Sequence, residues 1–186
     1  MPDQSSSTRV LYNDPNRPMV LHSPNTVIGI GEWAVSNQPD DVLQTFALGS
    51  CIAVIFLHHP SRSAGMVHVA LPDSSINPVL AEERPGYFAD TGIAAVLESL
   101  QRLLGQGHAL KRGMVIKMTG GANVMDTRGT FRIGSRNSEA ARQILRRHGL
   151  EPVACDLGGD FSRTVSVSLK TGQVRISRVG HSSWLL

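Results

Sequence analysis

A chain of 186 residues, 41% hydrophobic and 18% charged, is long enough to bury one full core and short enough to form a single domain. Its net charge of +3 comes from scattered basic residues, and aromatics make up 5% of the chain, so it lacks the concentrated basic face with stacking rings that nucleic-acid binding uses. No run approaches the roughly 20 apolar residues of a membrane span, the N-terminus is polar and Ser-rich, and the two cysteines are too few for a secreted disulfide framework. These features lead to the expectation of a cytoplasmic protein with no direct membrane insertion.

Residues 1–26 mix Ser, Asn, Asp and Pro without periodicity and read as a flexible arm with one short ordered patch at 19–22. The folded domain is expected over 27–180, with 181–186 as a tail. Short β-like runs bounded by Gly, Pro, Asp or Ser occur at 27–30, 42–46, 51–57, 65–71 and 114–118. Between them, Ile93, Val96, Leu97, Leu100, Leu103 and Leu104 recur at helical spacing over 91–104, and Gly105 is the expected stop. A second helix is predicted over 138–148, with Asn137 or Ser138 as N-cap, Arg146, Arg147 and His148 in the last turn, and Gly149 beyond it. Val165, Val167 and Leu169 alternate with polar residues, Thr171-Gly172 makes a turn, and Val174 and Ile176 resume the alternation, which is the pattern of a hairpin. The sum is a single-domain α/β sandwich with a mixed, largely antiparallel sheet and two main helices.

The segment most informative about chemistry is Thr45-Phe-Ala-Leu-Gly-Ser-Cys51, which opens the apolar run 51–57. Gly49 and Ser50 place a thiol at a bend where backbone N–H groups can point outward, an arrangement that serves a nucleophile and its oxyanion together. The plainer reading makes Cys51 a small core residue opening a buried strand. Run 65–71 holds His68 as its one titratable side chain. If the two runs pair as antiparallel neighbours, that imidazole can lower the thiol pKa and shuttle a proton; alone, it would be a structural histidine. Thr45 can orient the imidazole as the third member of a triad, or serve simply as a β-branched strand residue. Gly120-Gly121-Ala122-Asn123 follows a strand but lacks the Walker lysine and serine, so a tight turn or close approach to a substrate backbone fits it better. Arg136-Asn137 and Arg163 are candidates for holding a partner or bracing loops, and Cys155, in an apolar run, reads as structural. The remaining histidines show no metal-ligand spacing, so neither a metal nor a cofactor is assigned.

Taken together, Ile28-Gly-Ile-Gly-Glu-Trp-Ala-Val-Ser36, the stretch from Thr45 to Cys51, Gly65-Met-Val-His-Val-Ala-Leu-Pro72, Phe88-Ala-Asp-Thr91, Gly120-Gly-Ala-Asn123, Ile133-Gly-Ser-Arg-Asn137 and Asp156-Leu-Gly-Gly159 resemble the CheD family of chemoreceptor glutamine deamidases. The resemblance covers about residues 27–178. It implies that Cys51 matches the family nucleophile, His68 its general base and Thr45 the residue completing the triad, on an α/β sandwich related to bacterial toxin deamidases. It also implies glutamine substrates on the cytoplasmic domain of chemoreceptors, and a CheC-type phosphatase as a partner of some members. Two departures are visible, His58-His59-Pro60 where members often carry an acidic residue before proline, and Cys155 itself. A binding module that docks without turnover is the alternative function.

Overall fold

The computed structural model describes residues 10–12, 18–19, 25–105, 110–124 and 132–186. Its strands in chain order are β1 (Val10–Tyr12), β2 (Pro18–Met19), β3 (Asn25–Val27), β4 (Trp33–Ser36), β5 (Val42–Leu48), β6 (Ile52–His58) and β7 (Ser63–Val69). The short helix α1 (Pro78–Glu83) and the long helix α2 (Ala89–Leu104) follow, then β8 (Met114–Gly120), α3 (Ile133–Arg147), β9 (Pro152–Leu157), β10 (Arg163–Ser168), β11 (Val174–Ser177) and β12 (Trp184–Leu185). No helix among the described residues is long and apolar enough to cross a membrane.

The expected α/β sandwich is present, with its strands divided between two mixed sheets rather than one. A seven-stranded sheet runs β2-β1-β4-β7-β6-β8-β9, and a five-stranded sheet runs β12-β11-β10-β5-β3. All pairings are antiparallel except β8 with β9 and β3 with β5. The larger sheet is the middle layer, and its central strands β6 and β7 are buried along their whole length. Alternation decides where each side chain goes. Ile52, Val54 and Phe56 pack with Val67 and Val69 under α2 and α3, whereas Ala53, Ile55 and Leu57 join Ala64 and Met66 against Leu43, Val165, Val167 and Ile176 of the second sheet. A strand buried on both faces reads as continuous apolar sequence, and each such Ile, Val or Phe contributes about 1.5–3 kcal/mol of transfer free energy.

Helix α2 and its Gly105 stop, where φ is +78°, match the expectation, as does the β10–β11 hairpin. Helix α3 begins at Ile133, so Asn137 and Ser138 lie inside it rather than at its cap. The helix starts early because Gly134 packs directly on the Gly121 backbone: a Cβ at Gly134 would lie 2.2 Å from the Gly121 carbonyl oxygen. The expected strand at 27–30 is instead the end of β3 followed by a loop. Cys155, read as structural, is exposed on the edge strand β9, where Arg142 reaches its sulfur at 3.2 Å. His22 and His108, like most of the patch at 19–22, lie outside the described residues.

Candidate active site

Strands β6 and β7 pair in the antiparallel register that sets Ala53 opposite His68. Cys51 precedes β6, two residues from Ala53, and therefore shares the face of the sheet that carries His68; it packs against the core between the two sheets. Diagonal neighbours on one face of an antiparallel pair lie within reach of long side chains. Thr45 approaches from the other side, on β5 of the second sheet, buried in phase with Leu43. The space between the sheets thus receives Cys51 and His68 from one layer and Thr45 from the other.

Hydrogen bonding determines the tautomer. The Thr45 hydroxyl donates to the Ile28 carbonyl at 2.7 Å, which commits its one hydrogen. Its oxygen lies 2.8 Å from His68 Nδ1 and must accept there, so Nδ1 carries the ring proton. Nε2 then presents a lone pair, and this atom is buried without a hydrogen-bond partner. A loop from Ile28 to Glu32 fastens the histidine further: the His68 N–H donates to the Glu32 carbonyl at 3.0 Å, and the His68 carbonyl accepts from Gly31 N–H at 2.8 Å. Sequence reasoning read this loop as part of a strand and missed its contribution; the Gly-Ile-Gly spacing was the available signal.

Burial sets the charge state of the resting pair. It pushes the His68 imidazole down to about 4, against the smaller opposing pull of the Ile28 carbonyl and the Glu32 carboxylate. Burial also pushes the Cys51 thiol up, with its own backbone N–H offsetting part of the rise. The sequence led to an imidazole that lowers the thiol pKa. Burial acts in the opposite direction, favouring the neutral thiol and the neutral imidazole because neither ion is well solvated there.

The glycine candidates lie around the same turn. Gly121 N–H donates to the Cys51 carbonyl at 2.8 Å and Ala122 N–H to the Gly49 carbonyl at 2.7 Å. The Gly121 N–H, expected to serve an oxyanion or substrate, is therefore already occupied by the carbonyl of Cys51. Gly120 has φ of +109°, and a Cβ there would sit 2.4 Å from the Cys51 carbonyl oxygen, so no larger residue fits. Ser50 has its carbonyl held by Asn137 Nδ2 at 3.0 Å. Arg163 braces rather than faces a partner, its guanidinium buried against Asp156 Oδ1 at 2.8 Å while Trp184 Nε1 donates to Oδ2. Arg136 lies exposed on α3.

With this geometry in place, known proteins supply the kinship. The family model described as CheD chemotactic sensory transduction matches residues 70–178. The chain belongs to the CheD family. A CheD relative from Syntrophotalea carbinolica, named a probable chemoreceptor glutamine deamidase, is 47% identical over 85% of this chain and 96% of its own. The CheD protein of Thermotoga maritima, named a chemoreceptor glutamine deamidase, is 36% identical over 83% of this chain and 92% of its own. Among solved structures, the hypothetical protein YfiH of Bacillus licheniformis matches with a TM-score of 0.40 at 12% identity, covering 68% of this chain and 49% of that one.

Proposed function

We propose that the protein hydrolyses glutamine side chains of chemoreceptors to glutamate, with release of ammonia, as a cysteine amidohydrolase whose nucleophile is Cys51. The observation that carries this reading is the unpartnered Nε2 of His68, held by Thr45 on its far side and sharing a face of the sheet with the thiol. The names of the CheD relatives support the substrate class.

As Cys51 Sγ attacks the carboxamide carbon, its proton passes to His68 Nε2 and the carbonyl electrons move to oxygen. Because the resting pair is neutral, proton transfer accompanies attack instead of preceding it. Thr45, accepting from Nδ1–H, steadies the imidazolium that forms, and backbone N–H groups at Ser50 and Cys51 receive the oxyanion. Collapse breaks the C–N bond, and the amine leaves as ammonia with the proton from Nε2. Water then attacks the thioester while His68 takes its proton, and the returning thiolate recovers that proton, leaving glutamate. Each turnover adds one negative charge to a receptor helix, a local change that can bias a two-state receptor.

The test incubates the chain with the cytoplasmic fragment of a chemoreceptor and reads peptide masses. A gain of about 1 Da at discrete glutamines that disappears with Cys51→Ala supports the reading; binding with unchanged masses turns it to a docking module. A CheC-type phosphatase, the further partner proposed with this function, would compete with that fragment.

A further inference from the structure

The geometry points to Asn137 as the positioning residue that holds open the oxyanion-binding turn at Cys51, an inference that rests on the deamidase reading. The β6–β7 ladder pairs Ile52 with Val69 and goes no further. Continued in register, it would pair Cys51 with Ala70 and Ser50 with Leu71. Instead, the N–H groups of Ala70 and Leu71 both donate to the Tyr87 carbonyl, at 2.9 and 3.0 Å. The Asn137 side chain takes over on the facing strand end: Nδ2 donates to the Ser50 carbonyl at 3.0 Å and to the Ala70 carbonyl at 2.8 Å.

Backbone accounting gives the consequence. The carbonyls of Gly49, Ser50 and Cys51 are tied in turn by Ala122 N–H, Asn137 Nδ2 and Gly121 N–H. The N–H groups of Ser50 and Cys51 donate to no backbone carbonyl among the described bonds, and the Cys51 N–H interacts only with its own sulfur, the atom that attacks. A turn whose acceptors are satisfied from within and whose donors are left over is suited to a developing anion. Asn137 suits the wedge because one amide nitrogen offers two hydrogens; aspartate offers none, and an apolar residue would leave two carbonyls unpaired. Asn137 is fully buried and lies one helical turn beyond Gly134 on the face of α3 that meets this turn. The Gly134–Gly121 contact brings the helix close enough for the amide to reach.

Deamidation kinetics on a chemoreceptor fragment would be compared with alkylation of Cys51 by iodoacetamide, in wild type, Asn137→Asp and Asn137→Ala. Alkylation needs the thiol but develops no oxyanion. The expected result is a kcat loss of about 100-fold with KM within about threefold, while alkylation stays within about threefold of wild type. Wild-type kcat in both variants, or a parallel loss of deamidation and alkylation, overturns the assignment. Should neither variant fold, amide exchange on the unaltered protein decides it. Ser50 and Cys51 N–H are expected to exchange at least about tenfold faster than Ala53 N–H, and equal protection sinks the idea. Wild type and Cys51→Ala in the same assay separate the two levels. Without Cys51-dependent mass gain both readings fall, and with it only the Asn137 assignment is at stake.

Discussion

Strands β6 and β7 carry a buried histidine at each end of their shared ladder, and the two differ in one nitrogen. His58 is 3% exposed and His68 2%, and each has its Nδ1 on a hydroxyl, Ser61 at 2.6 Å and Thr45 at 2.8 Å. At His58 the other nitrogen donates to the Arg112 carbonyl at 3.2 Å, and a chain of hydroxyls continues from Ser61 to Ser63 at 2.8 Å. At His68 the other nitrogen has no partner. Burial and an anchored Nδ1 are therefore common to both histidines and diagnose nothing. The unsatisfied Nε2, in a protein where most buried polar atoms are paired, is the difference on which the proposed catalytic role of His68 rests.

The sharpest way to break this contrast is to remove each ring in turn. His68→Gln is expected to lower kcat by about 10³–10⁴-fold with a modest change in Tm. His58→Gln is expected to leave kcat near wild type and lower Tm by about 2–12 °C, the shift that roughly 1–3 kcal/mol produces in a chain of this size. Equal kcat losses, measured with melting curves on the same preparations, would erase the distinction.

A second test uses pH on the intact fold. With His68 held at about 4 in the folded protein and near 6.5 in the unfolded chain, the unfolded state binds the extra proton between these values. Stability is then fully present above about pH 6.5 and is lost as pH falls toward 4, by roughly 3 kcal/mol in total. Urea midpoints at pH 7 and pH 4.5 measure the loss, and His68→Gln is expected to flatten the slope.

The smallest expected effect concerns the anchor. Thr45→Val keeps the shape and deletes the hydroxyl, releasing the ring from its fixed orientation. Because misplacement of a catalytic group by about 1 Å can cost about 100-fold, a kcat loss of about 10- to 100-fold with little change in KM is expected. Thr45→Ser is expected to restore most of it. Failure of serine to rescue would mean that Thr45 acts through packing rather than through its hydroxyl.

Apolar periodicity and turn residues were enough to locate α2 and the β10–β11 hairpin, and the short connection allowed the pairing of β6 with β7, because each rests on contacts close in sequence. The same local reading misplaced the start of α3. Gly134 looks like a breaker in sequence, yet it is the residue that lets the helix touch Gly121. It also missed β4 and β9, whose short runs are stabilised mainly by neighbours distant in the chain.

At the site, residue types and spacing offered Cys51, His68 and Thr45 as candidates beside plainer structural readings, and the resemblance to the CheD family is what favoured them as a triad. What only the tertiary structure decided is how they are set. Thr45 reaches His68 across two sheets, the Ile28 carbonyl determines which ring nitrogen holds the proton, and burial keeps thiol and imidazole neutral at rest. Asn137 joins the turn from a different layer. Composition and spacing report which groups are available, whereas hydrogen-bond direction and solvation depend on what packs around them, and that is settled only when distant segments meet.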